Sequence, residues 1–370
     1  PIETHYVTTP DGYILALHRI PGSRGERRAP ASRVSLRQSA ASRQRQHDSA
    51  QRKQRPAVLL WHGFLMCSEV WVCTPDTNLS LAFTLADAGY DVWMGNTRGN
   101  KYSCKHISLK PNQDAFWDFS MDHLVLHDLP ASVDYVLKTA GAPSLSYVGF
   151  SQGTAQGFAA LSLSRELNQK INLFIALAPV ARPHGLENKT VQSLVNASHE
   201  LIYLLFGRRV ILSTALFWRR VLTPLTHAWV IDLATWFLFH WRSEWIPHKN
   251  VVYRHLYSYT SVKVVVHWFQ IIRRHTFQMY DEDPSLFTNE GHLIPRFPMD
   301  SVTVPTALFY GGKDTLPDMG YILSNSPAPV FCLQIREYEH LHFLWARGLD
   351  KIVYPGILGL LATYSECWRD

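Results

Sequence analysis

Leu145-Ser146-Tyr147-Val148-Gly149-Phe150-Ser151-Gln152-Gly153 is the stretch on which the reading of this chain turns. A mostly apolar run enters it, helix-like sequence leaves it from Gln152, and a G-x-S-x-G string sits at the junction. The string alone arises by chance in roughly one chain of this length in ten. Strand before and helix after turn it into a candidate nucleophile elbow. There a strained strand-to-helix turn, eased by the two glycines, pushes the Ser151 hydroxyl into the open. The helix behind it offers unpaired N–H groups and a positive dipole end.

Outward from the elbow, short apolar runs recur between helical stretches. Gly12–Ile20 alternates as a strand, and 56–61, 90–94, 173–178, 306–310 and 330–335 read as buried strands. Residues 78–88 and 118–139 read as helices. Strands separated by helices imply right-handed crossovers, hence an α/β class fold with a mostly parallel central sheet and helices on both faces. The rhythm breaks over 182–300, where no clear strand appears and 200–280 holds 17 aromatic residues. That region reads as an inserted helical cap, dividing a core of 1–181 from its second part, 301–370. Charged and polar residues interrupt its apolar runs, so no membrane-spanning helix is expected.

A serine hydroxyl is a poor nucleophile until a base takes its proton, so an acid and a histidine must follow it in the chain. Asp314 comes directly after strand 306–310 and His340 shortly after strand 330–335, giving the order Ser151, Asp314, His340 of the α/β-hydrolase fold. Asp318 is the rival acid; His342 is a near and His292 a distant rival base. Two N–H donors must face the oxyanion. Gln152, next to the nucleophile, supplies one, and Phe64, in the His62-Gly63-Phe64 loop after strand 56–61, the other. This chemistry needs no metal or organic cofactor.

The net charge of +6 invites a nucleic-acid partner, but residues 23–55 carry ten basic and two acidic residues, leaving the rest at −2. That segment, poor in apolar residues, reads as a solvated basic low-complexity insertion, so no nucleic acid is expected. The five cysteines are odd in number and lack CxxC spacing, which suits neither a disulfide framework nor a zinc site. Pro1-Ile2-Glu3-Thr4-His5 reads as folded domain rather than as a leader.

Further strings carry a resemblance: Thr9–Leu15, Leu81–Trp93, Gly95-Asn96-Thr97-Arg98-Gly99-Asn100, Phe116–Ser120, Asp128–Ala131 and Gly311-Gly312-Lys313-Asp314. The chain resembles the acid lipases (gastric and lysosomal), and especially the fungal steryl ester hydrolases, over 1–22 and about 56–365. The resemblance implies nucleophile Ser151, acid Asp314, base His340, oxyanion donors Phe64 and Gln152, and a cap with a movable lid. It implies hydrolysis of steryl esters or triacylglycerols at a membrane or lipid-droplet surface; the other class of function open to the fold is non-catalytic lipid binding. Three departures stand out. The family's usual His-Leu-Asp-Phe is here His340-Leu341-His342-Phe343, the basic insertion is long, and 182–300 contains no cysteine. The missing cysteines favour an intracellular enzyme on a lipid droplet or the endoplasmic reticulum. The sequons at Asn188 and Asn196 point instead to a secreted or lysosomal/vacuolar one.

Overall fold

The computed structural model describes residues 2–22, 55–184, 192–193, 195–211, 219, 221–282 and 294–366. Most of the basic insertion lies outside them. Nine strands among the described residues form one sheet: β1 (Glu3–Thr8), β2 (Tyr13–Ile20), β3 (Ala57–Trp61), β4 (Asp91–Met94), β5 (Lys105–His106), β6 (Leu145–Phe150), β7 (Ile171–Leu177), β8 (Thr306–Gly311) and β9 (Phe331–Ile335). Their order is β1-β2-β4-β3-β6-β7-β8-β9, with β5 paired to β2. From β4 to β9 neighbours run parallel, whereas β1, β2 and β5 pair antiparallel.

Every residue of β3, β6 and β7 is buried, as expected of strands covered on both faces. Alternate side chains divide between two cores. Leu59 and Trp61 face one, Val58 and Leu60 the other. Helices α1 (Leu81–Asp87) and α7 (Tyr354–Glu366) cover the second face, and α2 (Leu129–Ala140) and α3 (Gln152–Leu163) the first.

The helix expected over 118–139 is broken. A short turn, Met121–His123, passes into a π-helical turn, Leu124–Asp128, before α2 begins. Pro130 has no N–H to give the carbonyl four residues back, so the ladder loosens there and the wider turn accommodates it. Two strands escaped the sequence pattern. β1 alternates only weakly between exposed and half-buried positions, and β5 is two residues long.

Between β7 and β8 the described residues form helices α4 (His199–Phe206), α5 (Pro224–Phe239) and α6 (Val262–Arg274) and no strand beyond isolated bridges. α6 joins the first core through Val264, Trp268 and Ile271. α5 is largely apolar, broken chiefly by Asp232, which pairs with Lys249; Ala228 and Ile231 reach the second core, while Leu225, Trp229, Leu233, Trp236 and Phe237 are exposed. No helix among the described residues is long and apolar enough to cross a membrane.

Candidate active site

β6 runs into α3 through Ser151, whose backbone stands at φ 53°, ψ −120°. The strain of this turn thus falls on the serine itself and not on the glycines. Gly149 and Gly153 are required for close approach instead. A Cβ on Gly149 would lie 2.8 Å from the Gly153 carbonyl carbon, and one on Gly153 2.5 Å from the Trp61 oxygen. α3 can therefore start hard against the ends of β6 and β3 only where both lack side chains.

The loops after β8 and β9 bring two distant residues to this turn. His340 Nε2 lies 2.7 Å from Ser151 Oγ, and its Nδ1 2.7 Å from Asp314 Oδ2. A carboxylate can only accept, so Nδ1 carries the proton and Nε2 is free to accept from the Ser151 hydroxyl. The Asp314 side chain is fully buried and also accepts the Leu316 N–H at 3.1 Å. Asp318 is occupied elsewhere: it caps the helix Met319–Asn325 by accepting the Tyr321 N–H and pairs with Arg182. His342 is buried and turned from Ser151, its Nδ1 accepting the Glu339 N–H at 2.7 Å. Burial pulls it down to about 4, which keeps the ring a neutral acceptor. At this departure from the family string the ring serves the backbone as an acceptor. His292 lies outside the described residues.

Phe64 and Gln152 flank the serine. The loop passes so close that a Cβ on Gly63 would sit 3.1 Å from Ser151 Cβ, and Gln152 opens α3. Neither backbone N–H donates a hydrogen bond to another described residue. His62 holds the loop: its Nδ1 donates to the Gly63 carbonyl at 2.8 Å, and its Nε2 accepts the Thr97 N–H at 3.2 Å. Burial brings His62 to about 4, so the neutral tautomer this pattern needs is the one present near neutral pH. The loop carrying Thr97 is held in turn by Arg98, whose fully buried guanidinium donates to Asp128 and Asp11. The Gln152 side chain accepts from Trp268 Nε1 at 2.7 Å, tying α6 to the elbow.

The site is covered. Ser151 is 8% and His340 3% exposed. Trp241, just beyond α5, stacks on the His340 ring at 5.2 Å between centroids and 11° between planes. Sequence reasoning missed Trp241 and Glu339. The aromatic density of the segment was the only signal for the first, and position next to His340 the only one for the second.

Comparison with known proteins agrees with this architecture. A family model described as "alpha/beta hydrolase fold" matches residues 56–346, and one described as "partial alpha/beta-hydrolase lipase region" matches residues 1–75. A probable lipase of Schizosaccharomyces pombe is 40% identical over 98% of this chain and 78% of its own. Human lysosomal acid lipase/cholesteryl ester hydrolase is 36% identical over 99% of this chain and 88% of its own. Human gastric triacylglycerol lipase is 33% identical over 98% and 88%. A solved structure of a soluble variant of monoglyceride lipase from Saccharomyces cerevisiae superposes with a TM-score of 0.55 at 16% identity, covering 98% of this chain and 95% of that one. A mostly parallel sheet with this serine turn, matched along almost its whole length by acid lipases, makes the chain a member of the acid lipase family of α/β-hydrolases and a serine ester hydrolase.

Proposed function

We propose that the chain cleaves steryl esters into sterol and fatty acid through an acyl-enzyme on Ser151. The observation that carries the proposal is the relay Ser151–His340–Asp314 with both contacts at 2.7 Å. Its similarity to a human relative named a cholesteryl ester hydrolase supports the substrate.

His340 Nε2 takes the Ser151 proton as Oγ attacks the ester carbonyl. Asp314 holds the imidazole in the tautomer that can accept, and stabilises the imidazolium that forms. The Phe64 and Gln152 N–H groups receive the negative oxygen. The tetrahedral intermediate collapses, the C–O bond to the sterol breaks, and the sterol oxygen leaves with the proton from His340. Water then attacks the acyl carbon, gives a proton to His340, and Ser151 recovers it as the fatty acid departs. The enclosed serine requires the segment between β7 and β8 to act as a cap that moves aside for a bulky ester. The exposed face of α5 suits contact with a lipid surface. The lysosomal and gastric names of the relatives favour a lysosomal/vacuolar or secreted setting over a lipid droplet or the endoplasmic reticulum.

A second reading, triacylglycerol hydrolysis, is favoured by the similarity to the gastric enzyme. Cholesteryl oleate and triolein, emulsified identically and assayed side by side, separate the two; faster turnover of triolein overturns the first. In either assay Ser151→Ala loses roughly 10⁴-fold or more of activity. A fluorophosphonate labels the native chain stoichiometrically and spares the variant. Retained turnover in Ser151→Ala sinks the mechanism.

A further inference from the structure

The segment between α5 and the next helical turn is tied down by the residues that stand beside the proposed acid and base. Thr315, next to Asp314, donates its hydroxyl to the Phe239 carbonyl at 3.0 Å. Glu339, next to His340, accepts the Arg242 N–H at 2.9 Å on one carboxylate oxygen and the Ser243 N–H at 2.8 Å on the other. The Arg347 N–H closes the far end on the Trp245 carbonyl at 2.8 Å. Residues 239–245 thus form a strap fastened largely from the segments that follow β8 and β9, with Lys249 Nζ also donating to the Arg242 carbonyl at 3.3 Å.

The strap is held in a form that its own sequence does not prefer. His240 and Ser243 take left-handed backbone at φ 58° and 54°, where side-chain-bearing residues persist only if their surroundings hold them. Trp241 sits between these two residues. Its ring stacks with Phe239 at 4.3 Å and 19°, and with His340 at 5.2 Å and 11°. The buried Trp241 indole N–H has no hydrogen-bond partner among the described residues. The stack, not a polar contact of the indole, therefore accounts for where the ring lies. Glu339 is buried, so its two backbone bonds are made out of water, where a hydrogen bond is stronger than at the surface.

We propose that Glu339 is a positioning residue: by seating the Arg242 and Ser243 amides it holds Trp241 flat against the His340 imidazole. This rests on His340 being the base. A ring packed on one face keeps Nε2 aimed at Ser151, and the electron-rich indole face favours the cation formed when His340 takes the serine proton. Seating the strap and readying the base then become one event.

The test uses the full chain with a soluble short-chain p-nitrophenyl ester, so that surface binding does not enter, and counts active sites by fluorophosphonate titration. Glu339→Gln keeps the volume but retains one acceptor oxygen in place of two, and Trp241→Leu removes the aromatic face. Both are expected to lower kcat per titrated site about tenfold, with KM within about threefold of the native value. Trp241→Phe, which restores a stacking ring, is expected to return kcat to within about threefold. A purely structural role would lower the number of titrated sites and leave kcat per site alone. Native kcat per site in Trp241→Leu and Glu339→Gln overturns the proposal, and so does a Trp241→Phe no better than Trp241→Leu. Failure of the underlying reading shows separately, as activity retained in Ser151→Ala.

Discussion

Ser151 carries a cost that an ordinary serine does not. Its φ of 53° with ψ −120° is open to glycine and disfavoured for any residue with a Cβ. Between two variants that lack the proposed nucleophile the usual order of stability should therefore reverse. Ser151→Gly is expected to be more stable than Ser151→Ala by about 1 kcal/mol, although glycine normally loses to alanine through the entropy of the unfolded chain. Urea titrations of the two proteins measure this, and an alanine variant at least as stable would show the turn to be unstrained. Two buried histidines set a second expectation. Burial lowers His62 and His342 to about 4 in the fold, while the unfolded chain takes up protons near 6.5. The unfolded state therefore binds more protons between these values. Stability is fully present above pH 6.5 and falls as the pH drops toward 4, by on the order of 2–3 kcal/mol for each ring. His342→Asn keeps an acceptor for the Glu339 N–H and cannot titrate. The slope of unfolding free energy between pH 6.5 and 4 should then shrink by about one proton, as urea midpoints at successive pH values would register.

At the scale of elements, one buried guanidinium explains strings that look unrelated in the chain. Arg98, in the turn after β4, donates through its N–H and Nε to Asp128 at 2.8 Å each, and through its terminal nitrogens to Asp11 in the β1–β2 turn. Its guanidinium carbon lies 4.1 Å from the centre of the Tyr13 ring. The π-helical turn ahead of α2 presents Asp128, so the loosened helix and the ion cluster are one feature. Removing one partner leaves a desolvated charge half-compensated. Asp128→Asn, though isosteric, should lower unfolding free energy by about 3–5 kcal/mol. Denaturant unfolding checks it, and a change under 1 kcal/mol would mean that Asp11 alone satisfies the arginine. The elements themselves were legible where the pattern was strong: β6 spans the residues that its apolar run suggested, and β3, β4, β7, β8 and β9 lie within a few residues of theirs. β1 was not, because an edge strand with weak alternation carries no apolar signature, and neither was the π-turn, because a proline near a helix start does not by itself say how the turn before it is wound.

Across the whole molecule the apolar surface is unevenly spread. α5 exposes Leu225 and Trp229 at 73% and 65%, and α4 exposes Leu204 at 80%. A helix that leaves this many large apolar side chains open to solvent is expected against a nonpolar phase. Leu225→Ser with Trp229→Ser should weaken adsorption to phospholipid-coated triolein droplets about tenfold or more while hydrolysis of a soluble ester stays near native. Flotation with droplets reads the first and spectrophotometry the second; unchanged adsorption would remove this face from the account. The serine turn, the parallel sheet and the chain order of Ser151, Asp314 and His340 were set by local sequence, because apolar period, glycine spacing and strand-end placement act over a few residues. Engaging Asp318 with Arg182 and a helix N-terminus, using His342 as a backbone acceptor, and laying Trp241 on His340 were decided only in the fold. Those outcomes depend on which side chains meet across loops far apart in the chain, and burial and hydrogen-bond geometry exist only once the loops have met.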